Sequence, residues 1–418
     1  MTVSSGLPAG AQRVLRRLNE RSLFAVLLAE GRLTRVALQH RTGLSLPTIT
    51  RALANLQDAG LVAEAGTVST GRGPAAAVYE VRPRDGGVAA AIALTGDMIS
   101  VSLMSTAGES LACEQERPRR SASGPALVQT VRRLLRTALR SARIDRIHVS
   151  HTVVAVPAVV DTDGQLTTAI PSGLPSLEQH HIDAIRGLVG RSSAVDNDVN
   201  LAAIGEHHAG AARGIDDIVY LSLGSGIGTG VILGGQLYRG SHGAAGEVGH
   251  MPVGPIDPHS RPARRHGAAQ LAASEDAVRR LARAAGMTRR NSLAAVLASA
   301  DRGESAGCDV FATLAKQVAL MVASVVSVLD PELVVVGGSV GAAGETLLTP
   351  LRRELDQIFP TPPPVVASEL GTDAVRRGAE IAAVAGVQEQ LFTVITPPPA
   401  PSPVVVGTRH HREATIVR

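Results

Sequence analysis

Residues 44–56 read LSLPTITRALANL and predict a helix with two unlike faces. Ser45 can cap the start of this helix, and Pro47 falls in its first turn, where a missing backbone N–H has no cost. Apolar side chains that recur at i, i+4 and i+7 predict one buried stripe, formed by Ile49, Leu53 and Leu56. The opposite face is predicted to hold Thr48, Arg51 and Asn55, with Thr50 on its flank. These side chains can hydrogen-bond phosphates and base edges, and a face without a carboxylate favours a polyanion as the partner.

The segments on either side of this helix predict a winged helix-turn-helix. Helical patterns cover residues 19–30 and 35–40 before it, and short strands are predicted at 62–65 and 76–81 after it. The loop between the strands holds Arg72, which is placed to reach a minor groove or a phosphate. We therefore predict DNA contacts from six side chains, those of Ser45, Thr48, Thr50, Arg51, Asn55 and Arg72. The alternative is a small helical domain that binds another protein.

The positive charge of the chain is concentrated around this module. Residues 1–84 hold 11 arginines against 5 acidic residues, a net charge of +6, whereas the whole chain has a net charge of +4. The other residues therefore sum to −2. A basic segment beside a nearly neutral one is expected when one domain contacts nucleic acid. An arginine-rich solvated surface would give the same balance.

Length and composition predict two or three domains, because the chain has 418 residues of which 44% are hydrophobic. We expect a DNA-binding domain over residues 1–84, an α/β domain over 85–395 and a Pro-rich disordered tail over 396–418. The two cysteines are far apart in the sequence, which fits a reducing cytoplasm rather than a disulfide framework. The first residues lack the apolar core of a signal peptide, and the longest apolar run, 318–329, is too short to cross a membrane. The sequence thus predicts a cytoplasmic protein with no membrane partner.

Four segments of the α/β domain could form a ligand site. Residues 195–206 place an Asn-Asp pair between a predicted strand and a predicted helix, where a carboxylate can hydrogen-bond or deprotonate a hydroxyl. An ordinary helix cap is the alternative there. The glycine-rich turn 223–230 can approach a phosphate or simply close a hairpin. Residues 243–250 offer a glutamate and a histidine to paired sugar hydroxyls, and residues 334–339 form a turn that suits an adenosine or tight packing.

In this order and spacing the four segments resemble the ROK family (repressors, open reading frames and kinases), and residues 234–250 are the most specific part. The winged helix in front resembles the repressor branch of that family. The resemblance covers about residues 15–390 and implies an actin-like fold of two α/β lobes with a sugar site in the cleft. It implies ligand contacts from Asn197, Asp198, Glu247, His250 and Gln270. Asp198 matches the general base of kinase members, and Gln270 stands where the family usually has a glutamate.

Two departures from the family pattern argue against catalysis and against a metal. Kinase members have Asp-x-Gly-Gly-Thr at the first strand turn, which serves the ATP phosphates and Mg²⁺, whereas this chain has ALTGD at residues 93–97. A carboxylate lost at Ala93 and gained at Asp97 opposes the binding of a triphosphate. The zinc-binding cysteines of the family are also missing, although His250, His259 and His266 could form a substitute site. We therefore predict no catalytic residue, no metal and no cofactor.

The sequence predicts a sugar-responsive transcriptional regulator, a repressor, that acts as a homodimer or homotetramer. Its expected partners are double-stranded operator DNA and a sugar or sugar-phosphate effector. Two alternatives stay open. One is an active ATP-dependent sugar kinase with an accessory DNA-binding domain, and the other is a DNA binder whose second domain only dimerises.

Overall fold

The computed structural model describes residues 9–69, 75–81, 87–119, 123–169, 174, 177–189, 192–289 and 291–395. The chain divides into two units, one of residues 1–82 with 389–418, and the other of residues 83–388. The first boundary lies close to the one expected at residue 84, whereas the chain from Glu389 onward groups with the first unit. The predictions for Arg72 and for a disordered tail at 396–418 lie outside the described residues.

The first unit combines three helices with a small antiparallel sheet. Helices α1, α2 and α3 span Ala9–Glu30, Arg35–Thr42 and Leu46–Asp58, and strands β1, β2 and β3 span Leu33–Thr34, Val62–Val68 and Ala76–Val81. The strand order is β1-β3-β2, with antiparallel pairing throughout. This is the predicted winged helix-turn-helix, with a longer α1 and a longer β2. The pairing of β2 with β3 continues past an irregularity at Gly66, whose φ of +114° suits a residue without a side chain.

An apolar core fixes α3 within the first unit. The predicted stripe is confirmed, because Ile49, Leu53 and Leu56 are each at most 1% exposed. They pack with buried side chains from the other elements, namely Leu23, Phe24, Leu27, Leu38, Leu61 and Tyr79. Each fully buried side chain of this size contributes about 1.5–3 kcal/mol. Packing of one face, more than helix propensity, therefore sets the orientation of α3.

The second unit has two lobes, each built on a five-stranded sheet. In the first lobe, β4, β5, β6, β7 and β10 span Val88–Leu94, Ile99–Ser105, Ser110–Glu116, Val149–Val156 and Ser193–Asn197. Their order is β10-β7-β4-β5-β6, and a separate pair is formed by β8 (Ala158–Val160) and β9 (Leu166–Ala169). Helices α4 (Gly124–Ala142) and α5 (Gln179–Arg186) complete this lobe, and α4 buries Leu127, Val131 and Leu134 in its core.

In the second lobe, β11 to β15 span Ile218–Leu223, Ile227–Leu233, Gln236–Leu237, Leu333–Gly337 and Val365–Ala367, in the order β13-β12-β11-β14-β15. Helices α6 to α10 span Asp198–Ala209, Arg261–His266, Ala268–Ala273, Glu275–Ala284 and Leu293–Asp301. Helices α11, α12 and α13 span Ser305–Leu329, Gly338–Gly341 and Glu345–Ile358. Helix α14 spans Ala374–Ile395, and its residues from Glu389 onward group with the first unit. By length and composition α11 could cross a membrane, but it buries Phe311, Leu314 and Val318 in the core of this lobe.

Parallel pairing brings three of the four candidate segments, 195–206, 223–230 and 334–339, to the ends of strands. Strands β4, β7 and β10 run parallel, so their carboxyl ends share one edge, and α6 begins directly after β10. In the other lobe β11 and β14 are parallel, and the glycine turn after Leu223 lies at the same edge as Gly337. The predicted α/β architecture with an N-terminal winged helix-turn-helix is confirmed.

Candidate DNA-binding surface and effector site

The start of α3 is capped as the sequence predicts. Ser45 has an extended backbone, and its Oγ accepts a hydrogen bond from the backbone N–H of Thr48 at 3.4 Å. The hydroxyls of Ser45 and Thr48 also lie 2.8 Å apart. These two predicted DNA contacts are therefore hydrogen-bonded to each other at the helix start.

The exposed face of α3 is centred on other residues than the pattern predicted. Pro47, Thr50, Arg51 and Ala54 are exposed, whereas Thr48 is half-buried. The buried face of α3 includes Ala52 as well as the apolar stripe. The exposed face is therefore centred further round the helix than the stripe alone predicts. Arg51 keeps its predicted position on the exposed face, and Thr50 lies on that face rather than on its flank.

Asn55 is directed toward α1. Its Nδ2 donates a hydrogen bond to Oε1 of Glu20 at 2.6 Å, and Glu20 is only 2% exposed. Arg16 also lies near this carboxyl group, with its Nε at 3.9 Å from Oε1. Asn55 thus links α3 to α1, and a contact from it to DNA stays a prediction.

A buried tyrosine that the sequence did not single out joins the sheet to α2. The Tyr79 ring is fully buried, its hydroxyl accepts a hydrogen bond from Nη2 of Arg35, and it donates to Oε1 of Glu64 at 3.1 Å. Burial raises the pKa of Tyr79, and the hydrogen bond from Arg35 acts in the opposite direction. This contact fixes β2 and β3 to the start of α2, and no sequence pattern marks the three residues as a group.

In the second unit, Asn197 is the N-cap of α6. Its Oδ1 accepts from the backbone N–H groups of Val199 and Asn200 at 2.8 Å and 3.2 Å, and its Nδ2 donates to the carbonyl of Ala158 at 3.0 Å. The residue is 6% exposed. The amide has one further N–H to offer a ligand, and its main contacts hold the start of α6 against β8.

Asp198 and Glu247 form a pair of carboxyl groups with unusual protonation behaviour. Burial raises the pKa of Asp198 to about 7, the backbone N–H of Val199 acts in the opposite direction, and the charge of Glu247 raises it further. Burial likewise raises the pKa of Glu247 to about 7. Near neutral pH each group is therefore poised between a donor and an acceptor of hydrogen bonds, which suits a ligand with hydroxyl groups.

Close backbone contacts place the loop that holds Glu247. Thr229 in β12 donates its N–H to the carbonyl of Gly246 at 2.8 Å, and a Cβ on Gly246 would lie 1.9 Å from the Thr229 carbonyl oxygen. A Cβ on Gly243 would lie 2.0 Å from the carbonyl oxygen of Val160 in β8. Both glycines have positive φ angles, so the small residues predicted here are needed for the path of the chain.

An ion pair that the sequence did not reveal connects the same loop to the first lobe. Nη2 of Arg239 lies 2.5 Å from Oδ2 of Asp196, the last residue but one of β10. The other oxygen of Asp196 accepts from the backbone N–H of Asn197 at 2.8 Å and from Nδ2 of Asn200 at 3.3 Å. Asp196 thereby joins the loop to the start of α6, and only the fold brings these residues together.

Gln270 has partners that differ from the sugar contact predicted for it. Its Oε1 accepts from the backbone N–H of Ile227 at 2.8 Å, and its Nε2 donates to the carbonyl of Ser225 at 2.5 Å. Both ends of the amide therefore hold the glycine turn between β11 and β12. A ligand contact from Gln270 stays a prediction, and the structure gives this side chain a positioning role.

The turn between β4 and β5 is closed by hydrogen bonds between its own residues. Oγ1 of Thr95 donates to the carbonyl of Met98 at 2.9 Å and accepts from the N–H of Met98 at 3.0 Å. Ala93 is 3% exposed within β4 and offers only a methyl group. The hydroxyl in this turn is thus occupied within the turn, and the carboxylate that kinase members have at position 93 is missing.

The three histidines considered as a substitute zinc site are not brought together. His250 follows Gly249 at an exposed position, and His259 and His266 are also exposed. Among the residues that the structure describes, no group of three His, Cys, Asp or Glu side chains could hold a metal ion. His250 as a ligand contact stays a prediction, at an exposed position three residues after Glu247.

Comparison with known proteins agrees with both units. The ROK family model matches residues 89–385, and a model described as winged helix-turn-helix DNA-binding matches residues 16–63. A glucokinase from Thermotoga maritima is 34% identical over 214 residues, which are 47% of this chain and 67% of the glucokinase. Three further enzymes are matched over 34% to 53% of their own length.

Matches to regulators cover more of the chain. A xylose repressor from Caldicellulosiruptor bescii is 24% identical over 365 residues, which are 83% of this chain and 90% of the repressor. The crystal structure of a ROK family transcriptional regulator, a homolog of the E. coli MLC protein, aligns with a TM-score of 0.72 at 19% identity. That alignment covers 91% of this chain and 98% of the other, and it shows the shared fold. The ROK family model matches more than half of this chain, which shows that the chain belongs to the ROK family.

Proposed function

We propose that this ROK family protein is a DNA-binding transcriptional repressor controlled by a sugar that binds in its second unit. The observation that supports the proposal is the combination of two features in one chain. One is a winged helix-turn-helix whose α3 exposes Arg51, and the other is a ROK domain that keeps Asn197, Asp198 and Glu247 but has Ala93 in place of the kinase carboxylate. Relatives named as xylose repressors match 64% and 83% of this chain. Because a repressor acts on operator DNA, we infer that this protein works in the cytoplasm.

The chemistry of the site favours a neutral sugar at its acidic end. Asp198 and Glu247 both have pKa values of about 7, so each carboxyl group is only partly ionised at neutral pH. A phosphate placed between them would be repelled, whereas a hydroxyl can donate to one group and accept from the other. We infer that a sugar-phosphate effector would have its phosphate away from this pair.

Regulation needs only a modest free-energy coupling between the two ligands. A coupling of about 1–3 kcal/mol changes operator affinity 5- to 150-fold. We infer that the sugar stabilises one conformation of the second unit and that this conformation has the lower affinity for operator DNA. Two winged units in a homodimer or homotetramer would then read two half-sites.

The second candidate function is sugar phosphorylation, which the similarity to glucokinases favours. Phosphoryl transfer depends on metal ions and donors that neutralise the phosphates. The closed turn at Thr95, the methyl group of Ala93 and the added carboxyl group of Asp97 supply neither. An ATP-turnover assay against a hexose panel separates the candidates, because the repressor predicts no sugar-dependent ATP hydrolysis.

DNA binding is tested by capture of sheared genomic DNA from the source organism, followed by titration of the enriched fragments. Arg51→Ala should weaken binding at least tenfold. Arg353→Ala, a change of the same charge at an exposed site of the second unit, should leave it unchanged. If both variants bind as tightly as the unchanged chain, α3 is not the reading helix.

Effector binding is tested by thermal shift with hexoses, pentoses, N-acetylhexosamines and their phosphates. Asp198→Asn should abolish the shift given by the sugar that stabilises the unchanged chain, whereas Asp309→Asn, at an exposed position, should keep it. DNA binding should survive both changes. A panel in which no sugar shifts the melting temperature would support instead the DNA binder whose second unit only dimerises.

A further inference from the structure

Helix α4 in the second unit has an arginine-rich outer face that neither candidate site uses. Arg132, Arg136 and Arg140 are all exposed, and their spacing of four residues places them along one stripe. The stripe is about 12 Å long at a rise of 1.5 Å per residue, and it covers an arc of about 80°. Arg143 extends it at the C-cap, where the residue is exposed with a φ of +57°. We call this row of four the α4 stripe.

The α4 stripe has charge of one sign. Helix α4 contains no Asp or Glu over its 19 residues. Among the described part of the chain, the one arginine of α4 in an ion pair is Arg133, which contacts Glu116 of β6. The neighbouring carboxyl group of Glu114 accepts a hydrogen bond from Ser141 at 3.3 Å. Glu114 and Glu116, the two acidic side chains of β6 beside the helix, therefore contact Ser141 and Arg133 rather than the α4 stripe.

Folding does not account for this arrangement. The opposite face of α4 already holds the helix in the first-lobe core through Leu127, Val131 and Leu134. Like charges at i and i+4 destabilise a helix, so Arg132 and Arg136 weaken α4 rather than strengthen it. Arg140 lies in the last turn, where the helix dipole favours a cation, but this explains only the end of the stripe. Within the described parts of the chain, the guanidinium groups of the α4 stripe have no acidic partner, so they are available to a ligand outside the domain.

We propose that the α4 stripe is a second DNA contact, which binds the phosphate backbone without reading sequence. The proposal rests on the proposed function, since it needs a duplex that α3 already holds. The guanidinium groups lie about 6 Å apart along the helix and can pair with several phosphates of a duplex. A single small anion could pair with only one or two of them. An acidic protein would offer the same sign of charge. A duplex is favoured over it, because a duplex presents phosphates in a regular row along its length.

The test compares full-length variants on a labelled 60-bp duplex of mixed sequence. The affinity is measured by fluorescence anisotropy over a series of KCl concentrations. The stripe variant is Arg132→Gln, Arg136→Gln and Arg140→Gln together. The matched control is Arg283→Gln, Arg289→Gln and Arg353→Gln, which removes the same charge from three exposed sites elsewhere in the second unit. A third variant, with lysine at the same three positions as the stripe variant, keeps the charge.

The slope of log K against log salt concentration falls by about 0.9 for each phosphate contact that is lost. The stripe variant should therefore reduce the slope by up to about 3, and the lysine variant and the control should keep it. Equal slopes for the unchanged chain and the stripe variant would overturn the proposal, and an acidic protein would then be the remaining partner. If the unchanged chain fails to bind the duplex even at low salt, the proposed function fails as well, and the two failures are distinguished.

Discussion

Replacement of Asn55 by alanine should lower the free energy of unfolding of the first unit by about 1–3 kcal/mol, the cost of a buried polar group left without its partner. The Nδ2 of Asn55 donates to Glu20 at 2.6 Å, and Glu20 is 2% exposed. After the change, Nε of Arg16 would lie 3.9 Å from the same oxygen, which is too far for a good hydrogen bond. For a unit of this size, each kcal/mol shifts the melting temperature by roughly 4–8 °C.

Calorimetry of the full chain measures this effect on the transition of the first unit. The matched comparison is Arg51→Ala, an exposed change that should stay within about 0.5 kcal/mol of the unchanged chain yet weaken DNA binding. A double variant, Glu20→Leu with Asn55→Ala, removes both partners and should cost less than the sum of the single changes. The reasoning is refuted if Asn55→Ala melts normally but weakens DNA binding as much as Arg51→Ala, because Asn55 would then contact DNA.

Three further predictions concern the second unit. Burial raises the pKa of Asp198 to about 7, so the stability linked to its protonated form is present near pH 4 and is lost as the pH rises through 7. Asp198→Asn should therefore raise the melting temperature at pH 8 and give no gain near pH 4, as thermal denaturation at both pH values will show. Gly246→Ala forces a Cβ to within 1.9 Å of the Thr229 carbonyl oxygen and should abolish the sugar-induced thermal shift. The control is Gly43→Ala in the first unit, where φ is +69° and no atom lies within 4 Å; it should cost about 1–2 kcal/mol of stability and leave the sugar-induced shift unchanged. Gln270→Ala removes two hydrogen bonds to the glycine turn and should cost about 1–3 kcal/mol in urea denaturation, with a smaller loss of sugar affinity than Asp198→Asn; a loss as large as that of Asp198→Asn would indicate a direct ligand contact.

The sequence was sufficient to predict α3 and its buried stripe, but it gave the direction of the polar face only approximately. Helical periodicity depends on residues within one helix, so Ile49, Leu53 and Leu56 could be assigned without knowing their partners. The side on which α1 packs is a tertiary property. Because Glu20 is 35 residues from Asn55 in sequence, no local pattern could show that they are bonded.

The candidate effector site shows the same limit. Family resemblance indicated Asn197, Asp198 and Glu247 as expected ligand contacts, because each lies in a short segment with a recognisable order of residues. It could not reveal the ion pair between Asp196 and Arg239, which are 43 residues apart and meet only when the loop after β13 folds back onto β10. Contacts of this kind position the site but are not part of it. A sequence motif identifies ligand-binding residues more easily than it identifies the residues that position them.

The proposed sugar contacts and the turn that serves phosphates in kinase members lie on different elements of this fold, and that separation explains how sugar binding could be kept without phosphoryl transfer. Asp198 begins α6 and Glu247 follows β13, whereas the turn that serves phosphates in kinase members lies between β4 and β5. Ala93 is buried in β4, so its replacement of a carboxylate relieves the cost of burying a charge without altering the proposed sugar contacts, Asp198 and Glu247. A chain that no longer needs to bind a triphosphate can keep the conformational response to a sugar, and a winged helix-turn-helix on the same chain can use that response to control DNA binding.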